Sequence, residues 1–142
     1  MNESKLTAAD YPLAEKHPDL VHGQRGKSLN EITLEGLLAG TVTLEDLKIT
    51  KRALHQQSEI ARDAGRSTLA QNFERAADLV DVPQEAIMRT YELLRPGRAE
   101  SKEQLIAVAT ELEKSYGAVT MAAFIREAAE VYDRRGLFRP RY

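Results

Sequence analysis

Ser67–Glu113, STLAQNFERAADLVDVPQEAIMRTYELLRPGRAESKEQLIAVATELE, reads as two and a half amphipathic helices with their caps written in. Leu69, Phe73, Ala76, Ala77 and Val80 recur at i, i+4, i+7, i+8 and i+11, one side of a 3.6-residue helix. Pro83 stands where a first helical turn accepts proline, because its missing N–H has no intrahelical partner there. Ile87, Met88, Tyr91 and Leu94 make the next stripe, and Arg95-Pro96-Gly97 stops it. Ser101-Lys102-Glu103-Gln104 is a capping box that opens a third face of Leu105, Ala109, Leu112 and Tyr116. Arg, Glu, Gln and Asp stand between the stripes. The signal is packing, not chemistry.

Outward from this stretch, the pattern stays helical from Thr50 to Arg135. The spacing predicts helices at Lys51–Ala64 closed by Gly65, Thr68–Val80, Gln84–Leu94, Lys102–Tyr116 closed by Gly117, and Val119–Arg135 closed by Gly136. Val119, Ala122, Ala123, Ile125, Ala128, Ala129 and Tyr132 give the last helix a face too wide for one dry side. Residues 1 to about 50 differ in texture. They carry Pro12, Pro18, Gly23, Gly26, Gly36 and Gly40 and no sustained apolar period. One short helix within Ser28–Leu38 capped near Thr33, and one turn over Thr43–Leu47 capped by Thr43, are expected there, with the rest extended or irregular. The fold class is therefore all-α: a compact domain of about five helices, 51–142, preceded by an irregular N-terminal arm, 1–50. Leu6, Tyr11, Leu13, Leu20, Val21, Leu29 and Ile32 make the arm too apolar for a solvated tail. It is expected to wrap a partner subunit.

Composition narrows the function. With 142 residues, 20 basic against 22 acidic side chains and a net charge of −2, nothing steers the chain toward nucleic acid or an anionic membrane. The absence of cysteine excludes disulfides, thiolate metal sites and thiol nucleophiles. No run approaches the ~18–20 apolar residues of a membrane span, and the opening lacks a signal peptide's apolar core. A cytoplasmic location is expected.

Candidate chemistry is sparse. His17 and His22 are five apart across Pro18 with no third ligand near, and His55 lies beside Gln56, Gln57 and Ser58 on what reads as a solvated helix face. Glu15, Asp19 and Glu31 have nothing to fix their separation or bury one of them. Gly23-Gln24-Arg25-Gly26-Lys27-Ser28 has too few residues between its glycines for a phosphate loop, and no strand precedes it. Arg134, Arg135, Arg139 and Arg141 form a basic C-terminus whose first members complement the last helix. Arg62, Arg66 and Asp63, and Glu74, Arg75 and Asp78, fit helix-surface pairing. No catalytic, cofactor-binding or metal-binding residue is expected in this chain.

Longer strings carry the reading further. Asp10-Tyr11-Pro12-Leu13-Ala14-Glu15-Lys16-His17-Pro18 resembles the opening of the small subunit of adenosylcobalamin-dependent diol and glycerol dehydratases. The likeness continues through Ile32-Thr33-Leu34-Glu35, Ala61-Arg62-Asp63-Ala64-Gly65-Arg66 and Asn72-Phe73-Glu74-Arg75-Ala76-Ala77. It closes with Tyr91-Glu92-Leu93-Leu94-Arg95-Pro96 and Ala122-Ala123-Phe124-Ile125-Arg126-Glu127-Ala128-Ala129. The strings keep their order over about residues 10 to 135.

The resemblance implies a heterohexameric lyase, a dimer of heterotrimers of large, medium and small subunits. The large subunit would hold substrate and a metal ion on a (β/α)₈ barrel, with adenosylcobalamin between the large and medium subunits. Radical chemistry there would dehydrate 1,2-propanediol or glycerol to the aldehyde. The small subunit would be helical, pack on the large one and add no catalytic group. Many propanediol-type small subunits carry an extra N-terminal segment associated with packaging into a protein-shelled microcompartment. Here only nine residues precede Asp10-Tyr11-Pro12, and the resemblance leaves both a free cytoplasmic location and one within a bacterial microcompartment open. The turn Pro96–Ser101 is longer than the family's usual one, and Asp63-Ala64-Gly65-Arg66 with Lys16-His17-Pro18 leans toward the propanediol branch. Two readings compete: a free-standing helical adaptor without enzymatic role, and a small nucleic-acid binder using the arginine tail.

Overall fold

The computed structural model describes residues 5–138, and their regular structure is helical, as expected of an all-α chain. The helices are α1 (Leu13–Lys16), α2 (Leu34–Leu38), α3 (Leu44–Leu47), α4 (Lys51–Asp63), α5 (Ser67–Leu79), α6 (Gln84–Leu94), α7 (Lys102–Tyr116) and α8 (Val119–Arg134). Single 3₁₀ turns stand at Ala8–Asp10, Pro18–Leu20 and Leu29–Glu31. The chain divides into two compact units, Met1–Val80 and Asp81–Tyr142.

In the first unit α4 and α5 pack as a helical hairpin. Thr50 starts α4 by accepting a hydrogen bond from the Ala53 amide at 3.0 Å. Leu54, Ile60 and Ala61 of α4 are buried with Ala70 and Ala77 of α5. The stripe read on α5 is corrected here. Leu69 and Ala76 are exposed and Phe73 is half-buried, because the buried positions of this helix are its small residues. Alanines at a helix–helix contact let the two backbones approach closely. Gln56 and Ser58, expected on the solvated face of α4, are buried as well. The Ser58 hydroxyl donates to Glu74 Oε1 at 3.0 Å, and the Arg62 guanidinium reaches the same oxygen. Those charges link two helices instead of pairing along one.

Residues 5–50 are the irregular segment expected before the long helices. They form a string of short helical turns, three of them opened by a hydroxyl residue with a carboxylate three positions on. Thr7 donates its amide to Asp10 Oδ2 at 2.7 Å, Ser28 to Glu31 Oε2 at 2.8 Å, and Thr43 to Asp46 Oδ2 at 2.8 Å. The capped turns expected at Thr33 and Thr43 are present. The string lies along α4, whose carboxylates take its free amides: Leu6 donates to Glu59 Oε2 at 3.0 Å and Ala8 to Asp63 Oδ2 at 2.8 Å. Leu13 and Val42 are buried.

In the second unit α7 and α8 form a hairpin around Leu105, Val108, Ala109, Leu112, Ala122, Ile125 and Ala129. Here the third stripe holds at Leu105, Ala109 and Leu112, with Tyr116 half-buried. Gly117, at φ +67°, ends α7 in a left-handed turn, and Ala118 donates back to the Leu112 carbonyl at 3.1 Å. On α6 the stripe sits one residue away from the reading. Met88 and Tyr91 are exposed, whereas Ala86 and Thr90 are buried. Thr90 tolerates burial because its hydroxyl donates to the Ala86 carbonyl at 2.7 Å. The Tyr132 hydroxyl donates to the Leu94 carbonyl, filling an acceptor left open at the end of α6.

Candidate interaction surface

The segment 34–49 has its polarity inverted. Its buried side chains are Val42 and Asp46, while Leu34, Leu37, Leu38, Leu44, Leu47 and Ile49 are 48–80% exposed. The local cause is readable. The face of α2 turned toward its own chain carries Gly36, where an added Cβ would lie 2.8 Å from Val42 Cγ2. The leucines on either side are therefore left outward. On α3 the carboxylate of Asp46 is drawn inward, and Leu44 and Leu47 are left outside. Burying one large aliphatic side chain is worth about 1.5–3 kcal/mol. Six at this exposure represent on the order of 10 kcal/mol, the size of the freedom lost when two proteins associate.

What draws Asp46 inward is Arg25. Its Nε donates to Oδ1 at 2.9 Å, its Nη2 donates to Oδ2, and the same nitrogen donates to the Thr41 carbonyl at 3.0 Å. The Arg25 hydrogen bonds, helped by the Thr43 amide, hold the Asp46 carboxyl at about 2, against an ordinary 3.8. Gly23–Ser28, rejected as a phosphate loop, is the turn that delivers this arginine. Gly23 donates to the Lys27 carbonyl at 2.9 Å, and His22 and Ser28 bridge their backbones. Gly23 is required by space. A Cβ there would stand 2.2 Å from the Asp46 carbonyl oxygen. Sequence reading missed this pair; the signal within reach was Thr43-Leu44-Glu45-Asp46, a capping box whose acid has a second partner.

Of the other singled-out residues, His17, His55 and Asp19 line one cleft. His17 Nε2 lies 2.8 Å from Asp10 Oδ1, at one side of a cleft of about 380 Å³ that His55, Asp19 and Glu59 also line. The Thr7 amide and His17 keep the Asp10 carboxyl below the usual range. Glu31 is held down by the Ser28 amide and hydroxyl. His22, Glu15 and Asp19 are exposed. Among the described residues no three His, Asp or Glu side chains come together as metal ligands. No helix among them is long and apolar enough to cross a membrane. Arg134 and Arg135 are exposed at the end of α8, and Arg139 and Arg141 lie outside the described residues.

Residues 6–139 match the model of the family described as dehydratase small subunit. The chain belongs to the dehydratase small-subunit family. It is 50% identical over 126 residues to the propanediol dehydratase small subunit of Citrobacter freundii, covering 89% of this chain and 73% of that one. It is 50% identical over 127 residues to the protein of the same name from Salmonella typhimurium, with the same coverage. A small subunit implies larger partner subunits, and a surface of outward leucines is what such a chain would present to one.

Proposed function

We propose that this chain is the non-catalytic small subunit of an adenosylcobalamin-dependent propanediol dehydratase, in a cytoplasmic complex with large and medium subunits in a dimer of heterotrimers. In that complex 1,2-propanediol, or glycerol, loses water to give the aldehyde. The chain's part is to stabilise and assemble the large subunit, with the segment before residue 50 laid on a partner. The observation that carries this reading is the small-subunit family match over nearly the whole chain.

Among the described residues, the side chains offer no ready set of ligands for a metal or a corrinoid. Their His and carboxylate groups are scattered or already paired, as in His17 with Asp10 and Asp46 with Arg25. Both groups, and the radical chemistry the corrinoid supplies when bound, are assigned to the larger subunits. This chain's residues do mechanical work: capped turns hold the arm in shape, and the outward apolar groups cover partner surface that water would otherwise meet.

The test is co-expression of the three subunits with and without this chain. Soluble, cobalamin-dependent aldehyde formation that collapses when the chain is omitted is the expected result. Full activity of a stable complex without it would refute the assembly role and favour a free-standing adaptor.

A further inference from the structure

We infer that the cleft where residues 5–20 lie against α4 binds a small neutral polyol, and that Gln56 is its central contact. The inference does not depend on the small-subunit reading above. It rests on an amide that the fold leaves without a partner.

The polar side chains buried among the described residues are Asp46, Gln56, Ser58 and Thr90. Asp46 is bonded to Arg25, Ser58 to Glu74 and Thr90 to the Ala86 carbonyl. Gln56, 9% exposed, has no hydrogen-bond partner among the described residues. Among them no polar side-chain atom is both closed off and unbonded, so the Gln56 amide meets open space. Gln56 borders the cleft of about 380 Å³ and a mainly apolar groove of about 430 Å³. Partners for an amide belong on the cleft side, where Arg52, Gln56 and Glu59 follow one face of α4 at i, i+4 and i+7. A buried amide left open by its own chain requires a cause, and a ligand in the cleft supplies one.

The class of ligand follows from the valences still open. The Asp10 carboxylate is taken by the Thr7 amide and hydroxyl and by His17 Nε2, which leaves His17 Nδ1. Glu59 gives Oε2 to the Leu6 amide and keeps Oε1. The Gln56 amide, which donates and accepts, therefore shares the cleft with two further acceptors. A molecule that answers this set must both donate and accept at neighbouring atoms, as hydroxyl groups do. Charge speaks against an anion or a cation, because Lys5 and Arg52 face Asp10, Asp19 and Glu59 around the same opening. Leu6 and Leu20 give apolar sides for a short carbon chain.

The experiment titrates the full chain, labelled with ¹⁵N, with glycerol as the probe and 1-propanol and inorganic phosphate as comparisons. Expected is a saturable shift of the Gln56 side-chain amide signals with glycerol, half complete at about millimolar concentration, within the ceiling for so small a ligand. Neither 1-propanol, with its single hydroxyl, nor phosphate should saturate them. Gln56→Leu keeps the bulk and removes the amide. Read at the Leu6 and Glu59 backbone signals, it should weaken glycerol binding about tenfold or more, the size of two lost hydrogen bonds. Gln56→Met replaces it if the circular dichroism of the leucine variant differs from wild type. A shift that stays linear in glycerol would show a cleft filled by water alone and overturn the proposal. Saturation by phosphate would make it an anion site, and equal saturation by 1-propanol an apolar one, and either would refute the polyol. Glycerol binding unchanged in the Gln56 variant would remove Gln56 as the contact. None of these outcomes touches the small-subunit reading, which the co-expression test decides.

Discussion

Arg25 grips Asp46 across 21 residues of chain, through two nitrogens on two carboxylate oxygens, and the aspartate side chain is fully closed off from water. A bidentate guanidinium–carboxylate pair fixes orientation as well as distance. It is placed where it decides which way α3 faces. Without it, Asp46 would gain by rotating into solvent and Leu44 and Leu47 by rotating inward.

The pair predicts a pH signature. A carboxyl lowered on folding, here to about 2 from 3.8, stabilises fully above the ordinary value and ceases to as pH falls through about 2. Arg25→Met should therefore lower the urea midpoint at pH 7, with the gap from wild type narrowing between pH 4 and pH 2. Equal gaps at pH 7 and pH 2 would show that the carboxylate's charge is not what Arg25 holds.

Gly23→Ala tests the same locality by space alone. Its methyl would meet a backbone oxygen at 2.2 Å, so the turn must move and carry Arg25 with it. A destabilisation of roughly 1–3 kcal/mol is expected, and in Gly23→Ala the added effect of Arg25→Met should shrink. Strict additivity by denaturant titration would separate the two contacts.

Core substitutions should rank by exposure, not by side-chain size. Leu112→Ala, at a position 1% exposed, should cost about 2–5 kcal/mol. Phe73→Ala should cost less than about 2 kcal/mol in the free chain, since Phe73 is half-buried and lines an open groove of about 550 Å³ with Tyr11 and Leu69. A larger loss for Phe73→Ala than for Leu112→Ala would contradict the burial.

The seat of the arm can be read amide by amide. Replacing Glu59 or Asp63 by Ala removes the acceptor of the Leu6 or Ala8 N–H. Hydrogen exchange at that amide should rise about tenfold or more, the size of one bond to a charged group. Exchange that does not respond would mean that other contacts hold the arm.

His17→Ala, His22→Ala and His55→Ala should each leave turnover of correctly assembled enzyme within a few-fold. A general acid–base role would cost about 10²–10⁴ in rate. Such a loss in the complex proposed above, at normal subunit ratio and with its cofactor bound, would give one of them a part in the chemistry. His17→Ala is expected to loosen Asp10 and its turn, a change visible in stability rather than in rate.

The long helices were legible because caps are local. Thr50, Ser101 and Gly117 act where the sequence places them. Which face each helix buries was harder to read. Bulk alone favours Leu69 over Ala70 and Met88 over Thr90. Close helix contacts prefer small residues, and a threonine that bonds its own backbone passes as apolar. The arm's turns were missed at Thr7 and Ser28 although each carries the hydroxyl-and-acid spacing, because an apolar period was sought where a polar one does the capping. The Arg25–Asp46 contact had no local trace on the arginine side. It exists only once the chain has folded back on itself.

The two kinds of tether in the arm also set an order of events at the ribosome. Leu6 and Ala8 wait for acceptors 53 and 55 residues downstream, whereas Arg25 finds Asp46 after 21. A chain emerging from its N-terminus therefore has both residues of the clasp outside the ribosome before the acceptors on α4 have emerged. The face offered to a neighbour can form earlier than the seat beneath it, so capture by a nascent or waiting subunit can precede the chain's own consolidation.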